Sequence, residues 1–157
     1  MSRTLVAYFS ASGETAALAK TVAEVTGGDL FEIRPETPYT AADLDWQDNH
    51  SRSTLEMKDK SSRPEIEGQV ENMDQYDTIY VGFPIWWYVA PTIINTFLES
   101  YDLSGKAVIP FATSGGSGMG KTLEGLKGSC SGDLRPGKMW IGNVPEESIR
   151  LWAESKK

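Results

Sequence analysis

Leu5-Val6-Ala7-Tyr8-Phe9-Ser10-Ala11-Ser12-Gly13-Glu14-Thr15 is the stretch that decides the fold. Its first five residues are apolar or aromatic, with no polar alternation. A strand reads this way when both faces of a parallel sheet are covered. The second half then breaks into hydroxyls and one glycine. A helical pattern follows over residues 14–25, where Leu18, Val22 and Val25 share a face with Ala19 and Ala23 beside them. Strand, polar loop and helix together open an α/β unit.

The same kind of strand recurs at residues 79–83 and 107–112. Residues 30–33 alternate, which places a strand nearer the sheet edge, and residues 139–141 read as a fifth strand. Helical patterns cover 91–100, 119–127 and 146–155. In the first of these Pro91 suits the first helical position, and Ile93, Ile94, Phe97 and Leu98 turn inward. The last opens with Glu146 and Glu147 after Pro145, which suits a helix N-terminus, and its expected inward residues are Ile149, Leu151 and Trp152. A further helix is expected near residues 53–59. Alternation of this kind predicts one α/β domain over residues 1–157, with a parallel sheet and right-handed crossovers. Residues 34–77 are the least regular part and contain three prolines and Trp46. A connection that long in a compact domain is usually functional or partly ordered.

The chain has 157 residues, with 15 Lys and Arg against 22 Asp and Glu, a formal net charge of −7. That length suits one domain with a real core and leaves no room for a second. The acidic balance argues against nucleic acid or an anionic membrane surface as partner. Apolar runs are far too short to span a bilayer. The single cysteine, Cys130, excludes an internal disulfide and a cysteine-ligated zinc site. The single histidine, His50, excludes a multi-histidine metal site and argues against a Ser–His–Asp triad. The N-terminal residues carry no targeting pattern, so a cytoplasmic protein is expected.

In an open parallel sheet, ligands bind beyond the carboxyl ends of the strands. Three loops leave those ends. The first carries Ser10, Ser12 and Thr15 around Gly13, leading into a helix whose first N–H groups favour an anion. It holds no Lys or Arg, so a phosphate here would rest on hydroxyls and backbone amides. The plainer alternative is that Ser12 only caps the helix. The second loop is Pro84-Ile85-Trp86-Trp87-Tyr88. Three consecutive aromatics cannot all enter one core, and a planar aromatic ligand is a natural partner for one of them. Alternatively, two are core and one packs on the Trp46 segment. The third loop is Thr113-Ser114-Gly115-Gly116-Ser117-Gly118, whose glycines let backbone amides approach a ligand closely, or simply make a turn. Residues Gly115 to Thr122 also match the nucleotide phosphate-loop pattern G-x-x-x-x-G-K-[ST], with Lys121 as its lysine. Only 35 residues follow Thr122, and none forms an apolar strand ending in a magnesium-binding aspartate.

Taken together, the three loops resemble the flavodoxin family. Ser10 to Thr15 is similar to the family's S/T-x-S/T-G-x-T phosphate loop, straight after the first strand. Gly82-Phe83-Pro84-Ile85-Trp86-Trp87 is similar to a flavin-flanking loop, and Thr113-Ser114-Gly115-Gly116 to the second one. The stretch from Tyr39 to Trp46 with Ser51-Arg52 also resembles one subgroup. The resemblance implies a flavodoxin-like five-stranded parallel sheet of order 2-1-3-4-5, without the insertion that splits the fifth strand in long-chain members. It implies FMN as cofactor. Ser10, Ser12, Gly13, Glu14 and Thr15 would hold the phosphate, Glu14 through its backbone. Pro84, Ile85, Trp86 and Trp87 would flank the ring. Thr113, Ser114, Gly115 and Gly116 would border its pyrimidine edge, with Gly118 assisting. The expected function is electron transfer between redox partner proteins. Two departures favour an alternative, an FMN-dependent NAD(P)H oxidoreductase of the quinone-reductase type. No glycine stands in Trp86-Trp87-Tyr88-Val89, and no aromatic in the third loop covers the second flavin face. A nucleotide-binding phosphate-loop protein is the remote alternative.

Overall fold

The computed structural model describes residues 3–154 apart from 11–13, 38–39, 41, 43, 45–49, 60–61, 71–72, 86–89, 115–121, 136 and 142–145. In chain order the elements are β1 (Thr4–Tyr8), α1 (Glu14–Thr26), β2 (Asp29–Glu32), β3 (Arg34–Pro35), α2 (Arg52–Lys58) and β4 (Ile66–Glu67). Then come β5 (Thr78–Pro84), α3 (Thr92–Glu99), β6 (Ala107–Ser114), α4 (Thr122–Lys127), β7 (Asp133–Leu134), β8 (Lys138–Ile141) and α5 (Glu146–Glu154).

The main sheet runs β2-β1-β5-β6, all parallel, with β7 and β8 both paired to the far side of β6. Counting β7 and β8 as one interrupted strand, this is the expected order 2-1-3-4-5. Strand alternation sorts the side chains into two layers. Leu5, Ala7, Phe9, Ile79, Val81, Phe83, Val108 and Ala112 meet α3 and Leu126 of α4 on one face. Val6, Tyr80, Ile109 and Phe111 meet α1 and α5 on the other. Both faces of the central strands are therefore apolar, which explains their unbroken hydrophobic runs. Phe9, Phe83, Phe97 and Phe111 are at most 2% exposed, each worth about 1.5–3 kcal/mol of burial.

The fifth strand breaks for a local reason. The Arg135 N–H donates to the Val108 carbonyl (2.9 Å), so the backbone groups of Val108 point toward β7. Two residues on, Pro110 faces the same way and has no N–H to donate. Gly137 sits against the Pro110 carbonyl, where a Cβ would collide with backbone. The interruption is thus a three-residue jog, not the long insertion of some flavodoxins.

One sequence expectation needs correction. Leu151 does not turn inward: it is 60% exposed, while Ile149, Trp152 and Ala153 are buried. The inward stripe follows i, i+3, i+4, and Leu151 instead lines an open groove of about 620 Å³ with Lys138, Met139, Trp140, Ser148 and Trp152. The fourth helix starts at Thr122, and residues 119–121 of the expected span lie outside the described residues. The other helices match within a residue or two. The edge strand starts one residue early, at Asp29.

Residues 34–77 are pinned at several points. β3 and β4 pair antiparallel, extended by the Glu36 N–H donating to the Glu65 carbonyl (2.8 Å). Ile66 and Val70 pack on the α3 face of the core, and the Val70 N–H donates to the Tyr101 hydroxyl (2.8 Å). Ser51 caps α2 by accepting from the Thr54 N–H. The long connection is therefore partly ordered packing rather than plain loop.

Gly82 follows Tyr80 on the α1 and α5 face, and the Phe111 ring occupies the place of its missing side chain. Phe111 is held in turn by Trp152, edge-on at 6.4 Å between centroids. Gly82→Ala should therefore cost about 1–3 kcal/mol of stability. Urea denaturation reads the loss as a lower midpoint, and an unchanged midpoint would show that Phe111 yields.

Candidate functional site

The parallel ladders bring the strand ends level. Tyr8 of β1 stands beside Gly82 of β5, Pro84 beside Thr113 of β6, and Thr113 beside Trp140 of β8. Past the strands the ladder continues. The Phe9 N–H donates to the Gly82 carbonyl and the Ile85 N–H to the Thr113 carbonyl, both at 2.9 Å. The loops after β1, β5 and β6 therefore leave one edge at one height.

Thr15 lies in the first turn of α1 and is 2% exposed. Side chains in a helix lean toward its N-terminus, which aims this hydroxyl at the loop after β1. Its Oγ1 lies 2.7 Å from Oγ1 of Thr113. Thr113 can reach it because Ile109 and Phe111, two and four residues earlier, face α1 and α5, and alternation puts Thr113 on the same face. Helix starts expose N–H groups without intrahelical acceptors. The edge thus offers hydroxyls and amide donors together, a chemistry suited to an anion.

Of the residues marked in the sequence, Ser10, Glu14, Thr15, Pro84, Ile85, Thr113 and Ser114 take places along this edge. Ser12, Gly13, Trp86, Trp87, Gly115, Gly116 and Gly118 lie outside the described residues, as do Trp46 and Lys121. His50 is exposed. Cys130 precedes β7, so it sits at the opposite, amino edge, where burial pushes its thiol up from its ordinary value. Sequence reading did not single out Tyr8. Its phenol, at the carboxyl end of β1, is pushed up by burial first and by Glu32 second, with Arg34 opposing. Glu32 pairs with Arg34 at 2.9 Å, so the flank beside β2 is charged. Nor did it find the Thr15–Thr113 contact, although the alternation along β6 was the available signal. Among the described residues no group of three or more His, Cys, Asp or Glu could hold a metal ion. None of the described helices is long and apolar enough to cross a membrane.

The sequence profile of the flavodoxins matches residues 3–156. The chain belongs to the flavodoxin family. Two solved structures from Bacteroides, each assigned as a flavoprotein, are similar over almost their full length. The protein of Bacteroides eggerthii shares 46% identity over 99% of this chain and 98% of its own, at a TM-score of 0.91. That of Bacteroides uniformis shares 48% over 98% of each, also at 0.91. A flavoprotein of Lactobacillus acidophilus, solved in complex with FMN, shares the flavodoxin fold at 23% identity, over 88% of this chain and 93% of its own, with a TM-score of 0.72. No curated protein matches the chain.

In this flavodoxin-family chain α3 follows the aromatic loop, and the long connection is tied to it. Arg63 makes two hydrogen bonds to Glu99, at 2.9 and 3.0 Å, and the Ser129 hydroxyl donates to Glu99 as well (2.6 Å). Arg63 and Ser129 hold the Glu99 carboxyl below the usual carboxylate range. The folded chain thus binds that proton less readily than the unfolded chain. The tie stabilises above the ordinary glutamate pKa and is lost as pH falls through the lower folded value. Because both partners are a third or more exposed, its worth is only a few tenths of a kcal/mol. Arg63→Met should lower the urea midpoint slightly at pH 7, and the gap from wild type should narrow as pH falls below the ordinary glutamate range. A gap that stays constant as pH falls would assign the effect to packing of the arginine stem.

Proposed function

We propose that this chain binds FMN at the carboxyl edge of its sheet and carries electrons between redox partner proteins. The observation that carries this reading is the closure of Thr15 on Thr113 at 2.7 Å. It puts a helix start suited to a phosphate within one hydrogen bond of a strand exit suited to a ring. FMN joins a phosphate to a planar ring by a short chain, so both ends find their chemistry on one edge. The FMN complex of the Lactobacillus acidophilus flavoprotein, which shares this fold, supports the same ligand.

Ser10, Ser12 and Thr15 would hold the phosphate with hydroxyls, and Gly13 and Glu14 with backbone amides. Pro84, Ile85, Trp86 and Trp87 would flank the ring, and Thr113, Ser114, Gly115 and Gly116 would border its pyrimidine edge, with Gly118 beside them. When bound, FMN supplies redox chemistry that side chains lack, and the protein supplies position, hydrogen bonds and exclusion of water. Thr15 is already almost dry, so a bond from its hydroxyl to an anion would be little weakened by solvent. The net charge of −7 suits basic partner proteins and steers their approach. It does not suit nucleic acid or a membrane surface, and a cytoplasmic setting fits such a carrier.

A second reading rests on the third loop, where only Ser and Gly follow Thr113. Without an aromatic there, a face of the ring stays open to NAD(P)H or a small acceptor, as an oxidoreductase of the quinone-reductase type requires. Against it, no arginine cluster stands in the loops to receive a nicotinamide phosphate.

Thr15→Ala should weaken FMN binding by about 1.5–3 kcal/mol, the worth of a hydrogen bond to a charged group. Quenching of flavin fluorescence reads it, and unchanged affinity would remove the phosphate assignment. The FMN-loaded protein under anaerobic NADPH should keep its yellow absorbance until dithionite is added. Rapid bleaching by NADPH alone would make the protein an oxidoreductase.

A further inference from the structure

The flavodoxin resemblance gives Thr113 to the ring. We propose instead that its side chain serves the phosphate, as a positioning residue that fixes the direction of the Thr15 hydroxyl proton. This rests on the FMN reading above. Proton counting sets the direction of this bond. Each threonine hydroxyl has one proton to donate and two lone pairs to accept with. The two oxygens are 2.7 Å apart, so one hydroxyl donates to the other. A phosphate dianion at the helix start only accepts. If Thr15 spent its proton on Thr113, it would face the anion with lone pairs alone. The anion therefore selects the opposite direction, in which Thr113 donates to Thr15 and Thr15 to the phosphate.

Two further observations agree. Thr113 shares its strand face with Ile109 and Phe111, which pack on α1 and α5. Its side chain is thus directed to the helix that begins beside the phosphate loop. Its carbonyl meanwhile accepts from the Ile85 N–H, which fixes the residue from the β5 side. With its one proton committed to Thr15, the Thr113 hydroxyl has none left for a ring carbonyl oxygen. Chained hydroxyls also polarise each other, which strengthens the outer bond in a dry site.

The test compares FMN with riboflavin, which has the same ring and no phosphate. In Thr113→Val the ratio of FMN affinity to riboflavin affinity should fall about fivefold, the loss that one ordinary hydrogen bond carries. Thr113→Ser should keep the ratio within about twofold of wild type, because it keeps the hydroxyl. A merely structural contact moves both ligands together and leaves the ratio alone. An unchanged ratio in the valine variant therefore overturns the proposal, and so does a serine variant that falls as far as valine. Thr113→Ala serves as the second hydroxyl-free variant should valine fail to fold. Wild-type protein that binds riboflavin and FMN equally overturns the phosphate role of this edge altogether. Wild-type protein that binds neither overturns the FMN reading itself, and the positioning role with it.

Discussion

The seven paired residues that join β5 to β6, from Thr78 beside Ala107 to Pro84 beside Thr113, set the level at which the site's loops leave the sheet. Strand side chains alternate with a period of two, so a slip of one residue would move every β6 side chain to the other face. Thr113 would then turn toward α3 and lose Thr15. Phe111 would leave the space above Gly82. The register is held by burial on both faces, since Val108 and Ala112 fit the α3 layer as Ile109 and Phe111 fit the α1 and α5 layer. Core packing thus fixes which hydroxyl meets which, although neither hydroxyl belongs to the core.

The far side of β6 shows what happens where that support stops. Pro110 withholds one ladder donor, Gly137 crowds its carbonyl, and the fifth strand becomes two short pieces. β8 resumes level with Phe111 and runs to Ser114, so the break lies below the site and the ladder is whole again beside Thr113. Trp140, paired with Thr113, packs edge-on against Trp152 at 5.0 Å, and Trp152 packs on Tyr80 and Phe111. The aromatic stack ties the interrupted strand back to the centre of the sheet. Leu151 stays outside it because it lies on the face of α5 away from the stripe of Ile149, Trp152 and Ala153.

Much of this architecture was legible in the residues. Unbroken runs such as 79–83 are what two-sided burial demands, and the run 30–33 alternates because β2 is an edge strand. The hydroxyl pattern around Gly13 marks the entry to α1, which begins at Glu14. Other features were hidden for physical reasons. Leu151 is apolar, but it lies off the i, i+3, i+4 stripe that buries Ile149, Trp152 and Ala153, so its hydrophobicity alone misleads. The broken fifth strand depends on which side of β6 the missing Pro110 donor faces, and that depends on register. The ties of the long connection, Arg63 to Glu99 and Val70 to Tyr101, span 36 and 31 residues and carry no local signal. The Thr15–Thr113 contact spans 98 residues, so a sequence pattern alone could mark its two ends but not join them.

The choice of donors has a consequence for the proposed redox role. A phosphate held by hydroxyls and amides keeps its full charge, because neutral donors stabilise an anion without cancelling it. The loops after β1, β5 and β6, from Ser10 to Thr15, Pro84 to Tyr88 and Thr113 to Gly118, bring no Lys or Arg to offset it. The whole chain, Glu14 of the first loop included, carries a net charge of −7. An electron added to a bound ring would enter a field already negative, which disfavours the reduced form and lowers the potential. The same field would draw basic partners to the protein. One property, an anion site built without cations, would therefore serve both a low-potential carrier and the recognition of its partners. In a hydride-accepting enzyme it would work against the approach of a nicotinamide cofactor, whose own phosphates are negative. The electrostatics thus weigh toward the proposed carrier even though the third loop has no aromatic to cover a ring.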